Sequence, residues 1–82
     1  MNISFSVIIS LYNKEEYIGR AIESILAQTY QEFEIVVVDD CSTDEGPLIV
    51  ESCPDDRIRL IRHSNNQGVS KTRNTGIANA RY

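Results

Sequence analysis

The chain has 82 residues, a formal net charge of −4, and 41% hydrophobic and 24% charged residues. That length holds one small domain at most and buries only about 60% of its unfolded surface. The ordinary composition, free of repeats and low-complexity tracts, is that of a soluble globular chain, and the acidic balance argues against nucleic acid as the main partner.

Charge is unevenly spread. Acids crowd the middle (Asp39, Asp40, Asp44, Glu45, Glu51, Asp55, Asp56), and the last third is basic (Arg57, Arg59, Arg62, Lys71, Arg73, Arg81). Cys41 and Cys53 lie twelve apart with a single His in the chain, so metal-site spacing is absent and free thiols are expected. The apolar run near the start is too short to span a bilayer and lacks the flanks of a signal peptide. A cytoplasmic chain is expected, and its parent is free to associate with the cytoplasmic face of a membrane through an anchor elsewhere.

Ile3 to Leu11 alternates and then becomes continuously apolar, as suits a strand buried on both faces. Ile18, Ala21, Ile22, Ile25 and Leu26 then follow the stripe of an amphipathic helix. Asn13 is its expected N-cap, and Glu15 and Glu16 suit the positive end of its dipole. Phe33 to Val38 predicts a second strand, ending at Asp39 and Asp40. Ser42 and Glu45 have capping-box spacing for a short helix near Pro47 to Ser52. Ile58 to Ile61 predicts a third strand, "HSNNQG" a loop, and Val69 to Arg81 a third helix interrupted in composition by Gly76.

This β-α-β-α-β-α order predicts an α/β, Rossmann-like fold with a parallel sheet and right-handed crossovers. Ligands of such sheets bind beyond the carboxyl ends of the strands. Ser10, Leu11, Tyr12 and Asn13 reach that edge after the first strand, Asp39 and Asp40 after the second, and the segment Asn65 to Gly68 after the third. A carboxylate there serves as a loop-amide acceptor, a helix cap, a cation ligand or an acceptor for a ligand N–H. Tyr12 is either a lid over the core or a flat surface for a base. Lys71 and Arg73 are either solvated or phosphate contacts, with the forked guanidinium of Arg73 better matched to phosphate. Neither G-x-G-x-x-G nor G-x-x-x-x-G-K-[ST] occurs, which counts against a dinucleotide-binding dehydrogenase and a P-loop NTPase. A nucleoside diphosphate in this acidic chain would call for a divalent cation.

From Ser6 to Tyr82, the blocks "YN", "SILAQTY", "VVVDD-x-STD", "N-x-G" and "TRN-x-G" occur in order. Together they resemble the start of family-2 glycosyltransferases, the inverting GT-A group. The resemblance implies that the chain is the nucleotide-binding half of such a domain, with three parallel strands in order 3-2-1. It places Ser10, Leu11, Tyr12 and Asn13 around the nucleoside and Asp40 on the base, most often at N3–H of uracil. Asp39 stands alongside, and Arg73 lies near the base or the diphosphate. Family members commonly have Pro at the position of Ser10 and Gly at that of Cys41.

In the resembled family the next strand delivers a D-x-D motif that holds Mg²⁺ or Mn²⁺, and the catalytic base follows later. Residues 1–82 are therefore expected to be a fragment that binds nucleotide, carries no catalytic or metal-ligating residue, and is inactive alone. The parent would transfer sugar from a nucleotide sugar, most commonly a UDP-sugar, to a glycan or lipid acceptor in polysaccharide biosynthesis. The missing strand would leave the first strand as an apolar edge, so a homo-oligomer is expected through it. The alternative is a non-catalytic nucleotide-binding or interaction module. A phosphoacceptor receiver domain fits poorly, because its acidic pair follows the first strand rather than the second.

Overall fold

The computed structural model describes residues 4–82. The elements are β1 (Phe5–Leu11), α1 (Glu15–Leu26), β2 (Phe33–Asp39), α2 (Gly46–Glu51), β3 (Ile58–Arg62) and α3 (Val69–Asn79). All three strands are parallel, in the order β1-β2-β3. This is the α/β arrangement expected from the alternating sequence, with β2 in the centre and the order 3-2-1 read from the other side.

Alternation along the strands sorts side chains into two faces. Leu11, Ile35 and Val37 form one core with Ile18 and Ile22 of α1 and Val50 of α2, and Val7 and Ile9 pack against it. The other face carries Ile8 and Val38 and receives α3 through Gly76. A Cβ at Gly76 would lie 2.3 Å from Cγ2 of Ile8 and 3.3 Å from Cγ2 of Val38. The glycine that seemed to interrupt the third helix is therefore what lets α3 approach the sheet. Thr72 presents the other small buried side chain of α3, and its hydroxyl donates to the carbonyl of Gly68 at 2.7 Å.

Several sequence expectations need correction. Ile3 lies outside the described residues. The first strand is not buried on both faces: Val7, Ile8 and Ile9 are half-buried, because β1 is an edge strand paired only with β2 among the described residues. Ala21 is exposed, leaving Ile18 and Ile22 as the buried stripe of α1. Asn13 does not cap α1; Lys14 holds that position without a side-chain cap. Ser42 and Glu45 form no capping box, since Glu45 is itself the N-cap of α2 and bonds across to α1. Strands β2 and β3 each run one residue further than the pattern suggested, and α3 ends at Asn79.

At the amino-terminal side of the sheet, Glu34 ties three segments together. Its carboxylate accepts from the Ser6 hydroxyl at 2.7 Å, from Arg59 Nε at 3.1 Å and from the Arg81 amide at 2.6 Å. Burial pushes its pKa up, but the Arg81 amide, the Ser6 hydroxyl and the Arg59 charge outweigh this and hold it below the usual range. The segment after α3 is thereby fixed beside β1, where the Tyr82 amide also donates to the Ser6 hydroxyl at 3.3 Å.

Candidate functional site

The strand register aligns Leu11, Asp39 and Arg62 side by side at the carboxyl edge. The ladder continues one step into the loops. The Asp40 amide donates to the Leu11 carbonyl at 2.8 Å, and the His63 amide to the Asp39 carbonyl at 2.8 Å. The three strand-to-helix loops therefore meet as a single surface.

The first two loops are clasped together. Asn13 adopts a left-handed conformation (φ 50°), which its short polar side chain tolerates. Its amide donates to the Ser42 hydroxyl at 3.0 Å, and its Oδ1 accepts from the Thr43 amide at 2.8 Å. Asp44 then serves two helix starts at once. Its Oδ2 accepts from the Glu15 amide at 3.0 Å and its Oδ1 from the Gly46 amide at 2.9 Å. An acid here meets orphan amides and positive dipole ends. Cys41 is also left-handed (φ 65°), the conformation that glycine adopts most freely. Both cysteines are free thiols.

The two aspartates differ. Asp39 is fully buried. Its Oδ2 accepts from the Ser42 amide at 3.2 Å and lies 3.5 Å from Nε of Arg62. Its Oδ1 has no hydrogen-bond partner among the described residues. Asp40 reaches across to the third loop instead. Its Oδ1 accepts from the Gln67 amide at 2.8 Å and from His63 Nδ1 at 2.9 Å, and its Oδ2 accepts from the Gly68 amide at 2.9 Å. Asp40 thus holds the entry to α3, whose N-cap is Gly68. The hydrogen bond from His63, with help from both amides against the opposing effect of burial, lowers its pKa and keeps it ionised.

A carboxylate offers about four lone-pair sites. Three donors occupy Asp40, two on Oδ1 and one on Oδ2. One acceptor direction on Oδ2 is left, on a group whose orientation is already fixed. The arrangement is suited to a polarised N–H from a ligand, which would form a charge-assisted bond.

Of the other sequence-derived site residues, Leu11 is buried in the core with α1 and α2, while Ser10, Tyr12 and Asn13 are exposed at the edge. Arg73 stands exposed on α3 and makes no hydrogen bond or ion pair among the described residues. The structure thus brings the first two loops together and leaves Arg73 outside their hydrogen-bonded network. Sequence reasoning placed Asn65 to Gly68 at this edge without linking the Gln67 and Gly68 amides to Asp40, and it missed His63 and Arg62. The N-x-G spacing hinted at the amides, but the contact of His63 with Asp40 depends on strand register.

No group of three His, Cys, Asp or Glu among the described residues is arranged to hold a metal ion. The residues present do not by themselves fit a divalent cation. An open hollow of about 600 Å³, lined by Leu26, Pro54, Asp55, Asp56 and Arg57, lies at the opposite, amino-terminal edge of the sheet. Its Arg57 is already engaged by Asp55 at 2.8 Å and lies over the Phe33 ring. No helix of the described residues is long and apolar enough to cross a membrane.

Known proteins resemble this chain in sequence and in fold. The chain is 49% identical over 74 residues to succinoglycan biosynthesis protein ExoO of Rhizobium meliloti, covering 90% of this chain and 21% of that protein. It is 37% identical over 83 residues to glycosyltransferase GlyG of Streptococcus pneumoniae, covering 99% and 28%. Among solved structures, S. aureus TarS 1-349 in complex with UDP-GlcNAc superposes with a TM-score of 0.89 at 39% identity, over 95% of this chain and 24% of that one. Mannosyltransferase PcManGT from Pyrobaculum calidifontis, in complex with GDP-Man and Mn²⁺, gives 0.84 at 32% identity over 93% and 24%. This chain therefore spans about a quarter or less of those solved chains and of ExoO. The family described as Glycosyl transferase family 2 matches residues 6–82, and the chain belongs to it.

Proposed function

We propose that residues 1–82 are the nucleotide-binding part of a glycosyltransferase domain and hold the nucleoside of a nucleotide sugar at the carboxyl edge of the sheet. In this reading Asp40 accepts the imide N–H of the base and Asp39 stands alongside. Tyr12 offers the stacking surface, Ser10, Leu11 and Asn13 surround the nucleoside, and Arg73 lies near the base or the diphosphate. The observation that carries it is the Asp40 carboxylate, fixed by three donors with one acceptor direction left. The UDP-GlcNAc and GDP-Man complexes of the structural relatives support a nucleotide-sugar donor.

A UDP-sugar is the proposed donor, because uridine is the commonest base in the family and one structural relative is in complex with UDP-GlcNAc. Inverting transfer to a glycan or lipid acceptor is proposed for the whole protein, in the cytoplasm or at the cytoplasmic membrane face. A divalent cation, if the whole protein uses Mg²⁺ or Mn²⁺, would take its ligands from outside residues 1–82. The chain's own work is to bind, orient and select the nucleotide.

Calorimetric titration tests this reading. UDP is expected to bind the 82-residue chain, and Asp40→Asn to weaken it about tenfold or more, as loss of a charge-assisted bond implies. Equal UDP affinity in the two chains would contradict the role of Asp40.

A further inference from the structure

The contact behind Asp40 points to a role for the only histidine. His63 is nearly buried, with 8% of its side chain exposed. Its Nδ1 lies 2.9 Å from Asp40 Oδ1, and its Nε2 lies 2.9 Å from the Thr75 hydroxyl on α3. An ionised carboxylate accepts only, so Nδ1 must carry a proton. The Thr75 hydroxyl has two acceptors in reach, His63 Nε2 and the Lys71 carbonyl at 3.0 Å. The ring therefore has a partner at Nε2 whether it is neutral or charged.

We infer that His63 is the positioning residue of the nucleotide-binding edge: its Nδ1–H locks the Asp40 carboxylate so that the remaining Oδ2 direction faces the base. The inference rests on the nucleotide-binding reading above and adds a residue to it. Two backbone amides alone would hold Asp40 against the α3 entry. The imidazole supplies a further donor from the residue just after β3, on the Oδ1 side, which fixes the rotation of the carboxylate. Through Thr75 the ring is itself held by α3, so base recognition and the seating of α3 share one hydrogen-bonded chain.

The test compares His63→Phe with His63→Asn. The Asn amide nitrogen can stand where Nδ1 stood, whereas Phe fills the space and donates nothing. Folding of both is checked by far-UV circular dichroism. Without ligand, the ¹³C titration of the Asp40 carboxyl is expected to move up in His63→Phe and to stay near the wild-type position in His63→Asn. With UDP, His63→Phe is expected to bind about tenfold more weakly and His63→Asn within about threefold of wild type, since a bond to a charged acceptor is lost in one and kept in the other. An unmoved Asp40 titration in His63→Phe would overturn the inference. So would wild-type UDP affinity in His63→Phe, or equal losses in the two variants, which would mean ring packing alone matters. Absence of UDP binding by the wild-type chain would instead sink the nucleotide reading. The ligand-free titration keeps the two failures apart.

Discussion

At the residue scale, much depends on small differences between neighbours. Asp39 and Asp40 are adjacent in sequence, yet one faces its own loop and Arg62 while the other braces the third loop. Gly76 shows the same economy in packing. Gly76→Ala adds a methyl 2.3 Å from Cγ2 of Ile8. Better helix propensity would return about 1 kcal/mol. Overpacking of this kind costs about 1–3 kcal/mol. A net loss is expected, read as a lower urea midpoint with an unchanged slope; a raised midpoint would mean that β1 yields at no cost.

At the scale of elements, helix starts are held by neighbouring loops rather than by their own caps. Neither α1 nor α2 has a side-chain cap of its own, and Asp44 serves both. Asp44→Ala is expected to cost about 1–2 kcal/mol, at or above a single lost cap. Chemical denaturation measures it, and a change below a few tenths would show that solvent replaces the carboxylate freely.

This cross-capping explains what the sequence concealed. Valine runs, the period of α1 and the turn residues made the six elements and their order legible. Capping-box spacing at Ser42 and Glu45 misled, because the partner amides belong to other segments. The carboxyl edge and both aspartates were legible from strand ends. The link from Asp40 to His63, Gln67 and Gly68 spans more than twenty residues and follows from the β2–β3 register, which no local pattern encodes.

At the scale of the whole molecule, two properties follow from charge and edge. Glu34, Asp40 and Asp55 all have pKa values below their ordinary range, that of Asp55 lowered to about 2 chiefly by hydrogen bonding to Arg57. A carboxyl group with a lower pKa in the folded state stabilises it above the unfolded pKa and loses that contribution as pH falls. Thermal stability is therefore expected to drop between pH values near 3.8 and about 2, the window set by Asp55. A flat Tm over that range would contradict the assigned contacts. The free side of β1 presents half-buried Val7, Ile8 and Ile9 on an unpaired edge among the described residues. Such edges recruit strands, and the isolated chain is expected to self-associate through it. Light scattering that reports only monomer at high concentration would count against that pairing.

The proposed roles of Asp40 and His63 both rest on nucleotide binding at the carboxyl edge of this sheet. The most direct test of that binding is an amide ¹H–¹⁵N titration of the chain with UDP. The shifts are expected to concentrate at Ser10 to Asn13, Asp39 to Ser42, and Gln67 and Gly68, and to saturate together with one dissociation constant. Shifts confined to Asp55 to Arg57 at the opposite edge, or none at all, would contradict it.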